Sequence, residues 1–359
     1  MNFVLHRLRR FVQRHRADQY MLALLLGFAL SVALTRFFLE LTGYPQLGNG
    51  TLHIAHLLWG GLLLFAATLL LVVLDHRRVY LVGAILSGVG IGLFIDEVGK
   101  FITRANDYFY PMAAPIIYAF FLLTVVVYLY TRRPPARDPR SEMYRVLALL
   151  KEVLDHDLNE SEWLELRERL QHVAQHKSAP PDLARLAVAL QGAVEPGALT
   201  VKPDAPGLWF RWQRWAARLE KRWLPRRVLR GLLVAALGMG GLLGLIELGA
   251  LALATFGPLS VREALMAGLS DVRPSHLGWV WLSFGLGGVV SVLMLAAAGL
   301  LALGRDWRGV TLGYFSLLAT LTTGNLFSFY YEQFSTIVAA AIQLALLLAL
   351  LHYRRRYLA

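Results

Sequence analysis

Three ionisable residues stand at the end of an apolar stretch of this sequence. Asp96, Glu97 and Lys100 follow the glycine-containing run from Ile91 to Ile95, before the apolar pattern has ended. Ionisable side chains near hydrocarbon are energetically costly and usually serve a function. Carboxylates beside histidines relay protons or hold cations, whereas arginine and lysine hold anions. We therefore expect the chemistry of this chain, whatever it is, to be centred here.

Charged and histidine side chains from four apolar stretches are predicted to lie in one layer of the bilayer. An α-helix rises about 1.5 Å per residue, which places these side chains about 24–31 Å from the helix ends expected to be cytoplasmic. The hydrocarbon core is about 30 Å thick, so this layer is near its outer boundary and is expected to form a polar site open to the outside. The residues expected to bind an ion or substrate in or beside it are Arg36, Glu40, Asp96, Glu97, Lys100 and Glu247, and the histidines are His53 and His56.

Three interpretations of this layer stay open. In the first, the residues only mark the water boundary, with a helix-end salt bridge between Asp96 and Lys100. In the second, they form the ion or solute site of a transporter or channel, although transporters usually bind substrate nearer the midplane. In the third, His53, His56 and Asp96 bind zinc and leave a fourth position for water. Glu97 would then be the general base of an intramembrane hydrolase.

The composition is that of an integral membrane protein. Of 359 residues, 57% are hydrophobic and 17% are charged, and there is no cysteine. Soluble domains carry about 25% charged residues, and runs of about 18 or more apolar residues are typical of membrane-spanning helices. We predict an all-α polytopic helix bundle of about eight spans in two four-span halves. The predicted spans are 20–41, 52–74, 79–102, 109–131, 229–256, 278–303, 309–328 and 332–353.

These spans divide the chain into five parts. They are a basic amphipathic N-terminal segment (1–19), a first four-helix transmembrane half (20–131), a cytoplasmic helical domain (132–205), an interfacial amphipathic helix (206–228) and a second four-helix half (229–359). Twelve lysines and arginines in the chain ends and connections fall on one side of the spans, against four on the other. Because basic residues favour the cytoplasmic side, we expect both termini in the cytoplasm of a bacterial-type plasma membrane.

Apolar residues at helical spacing predict three short helices within 132–205. The second of them is expected to begin near Asn159 and Glu162, which together are a helix-start signal. No glycine loop, nucleophile signature or metal-ligand spacing occurs in this segment. We interpret it as a packing module or as the docking site of a cytoplasmic protein partner.

Tryptophan alternates with arginine in the stretch 206–223, directly before the fifth span. Tryptophan prefers the head-group zone, and arginine pairs with anionic lipid. Because the stretch adjoins a span, we expect anionic lipid, and not nucleic acid, as its partner. The expected membrane-surface residues are Trp209, Arg211, Trp212, Arg214, Trp215, Arg218 and Trp223.

The two halves show a weak internal resemblance. The sequence GLFIDEVGKF at 92–101 aligns with NLFSFYYEQF at 325–334 through matching leucine and phenylalanine positions. A true duplication and a chance likeness of two hydrophobic bundles both fit this match. If the halves are repeats, Phe329, Tyr330 and Gln333 replace the ionisable residues, and the chemistry is confined to the first half.

The sequence favours a transporter-like or channel-like protein with a polar, outer-facing site between the first spans. The alternatives are the hydrolase, with zinc as its cofactor, and a membrane scaffold or sensor whose cytoplasmic domain binds a partner. A homo-oligomer fits the same composition.

Overall fold

The computed structural model describes residues 12–43, 55–132, 138–195, 197–203, 225–258, 260, 277–331 and 333–358. Within these ranges the chain is helical apart from its connecting loops, and the single β-type pairing there is an isolated bridge between Asn159 and Lys202. The helices, in chain order, are α1 Ala17–Thr42, α2 His56–Val73, α3 Arg77–Asp96, α4 Val98–Ile102, α5 Ala113–Thr131, α6 Pro139–Leu154, α7 Glu160–Gln175, α8 Pro181–Ala193, α9 Arg226–Phe256, α10 Leu277–Ala302, α11 Asp306–Ala319, α12 Asn325–Tyr331 and α13 Gln333–Tyr357.

Seven of the described helices are long and apolar enough to cross a membrane, namely α1, α2, α3, α5, α9, α10 and α13. Between 11% and 33% of each apolar stretch is buried within the protein. Exposed apolar surface of this extent is rare on soluble proteins and needs a hydrocarbon environment. The chain is therefore an all-α polytopic membrane helix bundle, as the sequence predicted.

Two predicted spans are not single uninterrupted helices. The third, predicted over 79–102, ends as α3 at Asp96 and is followed by the short α4. The seventh, predicted over 309–328, is divided into α11, a π-helical segment at Thr320–Gly324 and α12. A π-helical turn contains an extra residue, which hydropathy cannot detect because the side chains stay apolar or small. Among the described residues, seven long helices, of which the third ends before its predicted limit, and one divided helical stretch thus take the place of the eight predicted spans.

The chain separates into two compact units, and unit 1 comprises 1–26, 66–87 and 124–214. It contains the three short helices predicted from the sequence, α6, α7 and α8. The predicted start of the second is a capping box, in which Asn159 Oδ1 accepts from Glu162 N at 2.9 Å and Glu162 Oε2 accepts from Asn159 N at 3.1 Å. The apolar core of these helices contains Met143, Val146, Leu149, Leu166, Leu170, Val173, Ala187 and Val194.

Glu162 also links separate parts of unit 1 through ion pairs. Its side chain is 3% exposed, and Oε1 accepts hydrogen bonds from Arg16 and, at 3.2 Å, from Arg77 Nη1. Arg77 Nη1 reaches Glu152 Oε2 at 3.2 Å as well. The segment before α1 and the start of α3 are therefore held against α6 and α7 by charge.

Unit 2 comprises 27–65, 88–123 and 215–359. In its later part, α9, α10, α11 and α13 pack around a common core of Leu229, Leu233, Leu237, Met294, Ala297, Ala298, Leu301, Val310, Leu317, Leu321, Leu347, Leu350 and Tyr353. Gly241 of α9 lies against the backbone of α10. A Cβ atom at Gly241 would lie 2.7 Å from Ser291 O and 3.1 Å from Leu295 N, so any side chain there pushes the two helices apart.

Replacing Gly241 by alanine should therefore lower the free energy of unfolding of the purified protein by about 1–3 kcal/mol, because overpacking against backbone cannot be relieved by a rotamer change. Gly249→Ala, on the same helix with nothing within 4 Å of the added Cβ, is the matched control. It should leave stability unchanged or raise it, since alanine is the better helix former. Equal melting temperatures for the two variants would contradict this account of the α9–α10 contact.

Candidate functional site

The interruption after α3 places two carboxylates at the centre of the predicted polar layer. The helix ends at Asp96, and Glu97 adopts a turn conformation, with φ −89° and ψ 8°, before α4 begins at Val98. In a continuous helix, adjacent side chains diverge by about 100°. Because the helix stops between these two residues, both carboxylates can be directed towards the same neighbour.

Small residues on α3 allow α1 and α2 to approach this site closely. A Cβ atom at Gly92 would lie 3.0 Å from Phe28 O of α1, and one at Gly60 of α2 would lie 2.8 Å from Gly90 O. Ser31 Oγ of α1 donates to Val89 O at 3.0 Å. Such small-residue contacts let membrane helices pack at short distance, which brings Arg36 and His56 within reach of the end of α3.

Asp96 is 0% exposed and is bonded to three different parts of the chain. Arg36 Nε donates to Oδ1 at 2.6 Å, and the Tyr108 hydroxyl donates to Oδ2 at 2.6 Å. His56 Nε2 lies 3.2 Å from Oδ2. His56 and Asp96, which were both expected in one layer of the bilayer, are therefore in contact.

Glu97 is 1% exposed and makes the second half of the same network. Its Oε1 lies 3.1 Å from His56 Nδ1 and accepts from Lys100 Nζ at 3.1 Å. The expected salt bridge between Asp96 and Lys100 is thus replaced by one between Glu97 and Lys100, because the helix break changes the spacing. Arg36, His56, Asp96, Glu97 and Lys100, with Tyr108, are called the charge network from here on.

Tyr108 is the member of the charge network that sequence reasoning missed. Its loop folds back over α4, where a Cβ atom at Gly99 would lie 2.7 Å from Asp107 O. Thr103 Oγ1 accepts from Asp107 N at 2.9 Å and stabilises this turn. A tyrosine in a polar loop has no periodicity that marks it, so the available signal was only the cluster of polar residues after α4.

The ring of His56 lies between the two carboxylates of the network, with Nε2 facing Asp96 and Nδ1 facing Glu97. A neutral imidazole has one donor and one acceptor nitrogen, and an ionised carboxylate only accepts. A neutral ring can therefore donate to only one of the two acids, whereas a protonated ring can donate to both. The charge network thus places one titratable ring in contact with two buried acids.

Only two ligands of the predicted zinc site, His56 and Asp96, fall among the described residues. Both His56 nitrogens are directed at carboxylates, and Asp96 already accepts from Arg36, whose positive charge opposes that of a metal ion. Among the described residues, no group of three or more histidine, cysteine or acidic side chains is placed to hold a metal ion. His53, the third expected ligand, lies outside the described residues.

Two other expected site residues are exposed on their helices, namely Glu40 on α1, beyond Arg36, and Glu247 on α9. The depth argument placed them in the layer but could not tell which side of its helix each occupies. The tryptophans and arginines at 206–223 lie outside the described residues.

A second group of polar side chains surrounds the π-helical segment. The Tyr118 hydroxyl of α5 donates to Leu321 O within it, and Asn325 Nδ2 donates to Gln343 Oε1 of α13 at 2.8 Å. Asn325 is 2% exposed. This group was not predicted, because the residues are scattered over helices that read as uniformly apolar.

Comparisons with protein-family models, curated proteins and solved structures identify no match to this chain. Its function must therefore be inferred from the geometry of the charge network.

Replacing Arg36 by methionine should strongly destabilise the protein. It removes the guanidinium partner of a fully buried carboxylate, which typically costs about 3–5 kcal/mol. Denaturation of the purified variant in detergent measures the loss. Arg104→Met, an exposed change in the loop after α4, should stay within about 0.5 kcal/mol of the parent.

Adding Asp96→Asn to Arg36→Met should recover part of the lost stability, because no ionised carboxylate is then left without its arginine. An Arg36→Met variant as stable as Arg104→Met would show that the ion pair is not needed to hold the site together.

Proposed function

We propose that this chain is a transporter-like or channel-like membrane protein whose charge network is its ion site, and that the ion is a proton. We further propose that it resides in a bacterial-type plasma membrane with both termini cytoplasmic. The charge network then faces the outer side.

The burial of the charge network is the observation that carries this proposal. Residues that only marked the water boundary would keep their charges in water, yet Arg36, Asp96 and Glu97 are at most 2% exposed. The edge of the network is different, since His56 is 21% exposed and Lys100 is 25% exposed. A buried pair of acids with a partly exposed histidine is the arrangement expected of a site that exchanges protons with solvent.

The proton is favoured over a metal cation by the number of ligands that each needs. Arg36 and Lys100 already pair with the two carboxylates, so a metal ion would have to share these oxygens with two fixed positive charges. A proton needs no additional ligands, because His56 lies between both acids. Glu97 Oε2, which is buried and has no hydrogen-bond partner among the described residues, is a second position that could accept it.

The divided helix formed by α11, the π-helical segment and α12 also supports a transport function. Broken helices in transporters are found where backbone and polar side chains line a path or a binding site. Here the polar contacts of Tyr118 and Asn325 satisfy groups beside the break.

The sensor or scaffold function is the alternative that a specific observation favours. The helices of 132–205 are fastened by ion pairs to segments adjoining the membrane spans, through Glu162 and through Lys151, which donates to Asp75. Hydrogen bonds from Lys151 and Tyr80 hold the pKa of Asp75 below its usual value. A helical domain attached in this way could signal the binding of a partner to the membrane spans without any flux through the membrane.

Flux measurements separate these functions. The purified protein is reconstituted into liposomes that enclose a pH-sensitive dye, and a pH gradient is imposed. The protein should dissipate this gradient. The rate is measured with and without additional gradients of sodium, potassium or chloride. His56→Gln and Glu97→Gln should each reduce the protein-dependent proton flux by about tenfold or more, because they remove the exchanging groups. Glu40→Gln, an exposed acid outside the network, should retain the parent rate.

Proton flux no faster than in protein-free liposomes under every gradient would reject transport and favour the sensor. A proton flux that is unchanged in both His56→Gln and Glu97→Gln would show that the charge network is not part of the proton path.

Membrane sidedness can be tested because the chain has no cysteine. A single cysteine at Glu168, exposed on α7, should react with an impermeant thiol reagent only after the cells are permeabilised. A cysteine at Arg104, exposed after α4, should react in intact cells. The opposite labelling pattern would place the charge network on the cytoplasmic side and overturn the proposed orientation.

A further inference from the structure

Three helix ends of unit 2 meet at one buried carboxylate that the proposed function does not use. Asp306, at the start of α11, is 6% exposed. Its Oδ2 accepts from Arg226 Nη2 at the start of α9 and from the Tyr353 hydroxyl near the end of α13, each at 2.7 Å. Arg230 Nη1 lies 3.8 Å from Oδ1.

The chain around this carboxylate is strongly basic. The three helix ends contain one acidic residue, Asp306, and the eight arginines Arg226, Arg227, Arg230, Arg305, Arg308, Arg354, Arg355 and Arg356. These eight arginines are called the arginine patch. The side chains of Arg226 and Arg230 are 54% and 37% exposed, and Asp306 accepts a hydrogen bond from Arg226.

Trp307 sets the depth of the arginine patch. Its side chain is 54% exposed, next to Asp306, and Arg354 Cζ lies 4.8 Å from the centre of its ring. Tryptophan prefers the head-group zone of a bilayer. The patch also caps α9 and α13, which are long and apolar enough to cross a membrane. Both observations place the patch level with lipid head groups.

We propose that the arginine patch binds the phosphate of an anionic phospholipid. Guanidinium groups bind phosphate through paired, charge-assisted hydrogen bonds, and Arg226 is held in place by Asp306 before any ligand arrives. Anchoring this arginine reduces the side-chain entropy that is lost on binding. The apolar faces of α9 and α13 beside the patch can accommodate the acyl chains, which a free phosphate ion lacks.

The arginine patch consists of other residues than the predicted lipid contacts at 206–223, and the proposal does not depend on the charge network or on transport. It assigns a binding role to a region that the sequence analysis used only to deduce orientation.

The test compares three probes on the purified full-length chain in a neutral detergent: short-chain phosphatidylglycerol, the matching phosphatidylcholine and inorganic phosphate. Binding is measured by titration or by native mass spectrometry. Phosphatidylglycerol should bind tightest, and its affinity should fall as salt is raised, because salt screens the attraction. Equal binding of phosphatidylcholine would overturn the proposal. Phosphate binding as tight as that of phosphatidylglycerol would show an anion site without lipid specificity and would overturn it too.

Matched variants locate the site. Combined Arg227→Gln, Arg308→Gln and Arg354→Gln, all at exposed positions, should weaken phosphatidylglycerol binding by about tenfold or more. The control combines Arg140→Gln, Arg167→Gln and Arg185→Gln on α6, α7 and α8, which removes the same number of exposed charges elsewhere. It should weaken binding by less than about twofold. Equal loss in both triple variants would mean that only net charge matters, and the arginine patch would not be a site.

Discussion

The complete burial of the Asp96 carboxylate is the constraint that organises the segments around the end of α3. An ionised carboxylate out of water must be paired and hydrogen-bonded. The partners come from α1, α2 and the loop after α4, so these segments can adopt only the arrangement that delivers Arg36, His56 and Tyr108 to one point. The glycines on α2 and α3 are a consequence, since larger residues would hold the helices too far apart for those bonds.

Buried carboxylates paired with arginine recur at other places in the chain. Asp306 is satisfied by an arginine and a tyrosine hydroxyl, just as Asp96 is. Glu162 in unit 1 is satisfied by two arginines and a backbone amide. Within lipid, apolar burial does not favour one helix neighbour over another, because lipid tails are as apolar as the helix surfaces. Directional contacts of this kind therefore supply the specificity of helix packing.

Hydropathy and charge were sufficient to predict the helical membrane class and the region of the charge network. Rise per residue correctly matched His56 with Asp96, because depth depends only on counting along straight helices. It could not tell which way Glu40 and Glu247 face, and both are exposed on their helices. The helix break at Glu97 and the loop that brings Tyr108 to Asp96 depend on backbone conformation and on contacts between distant segments. Neither leaves a periodic pattern in the sequence.

The π-helical segment has a consequence for how this chain tolerates length changes. A π turn is equivalent to one residue inserted into an α-helix, and removing one residue from Thr320–Gly324 would restore regular α-helical geometry. Because the π turn absorbs this surplus residue, the segment after it would keep nearly the same rotation relative to α11. Asn325 would still face Gln343, and Phe329 would still face Tyr118, with which its ring packs at 4.7 Å. A one-residue deletion within Thr320–Gly324 should therefore be tolerated better than the same deletion in α11 or α12, where it would turn every later side chain by about 100°.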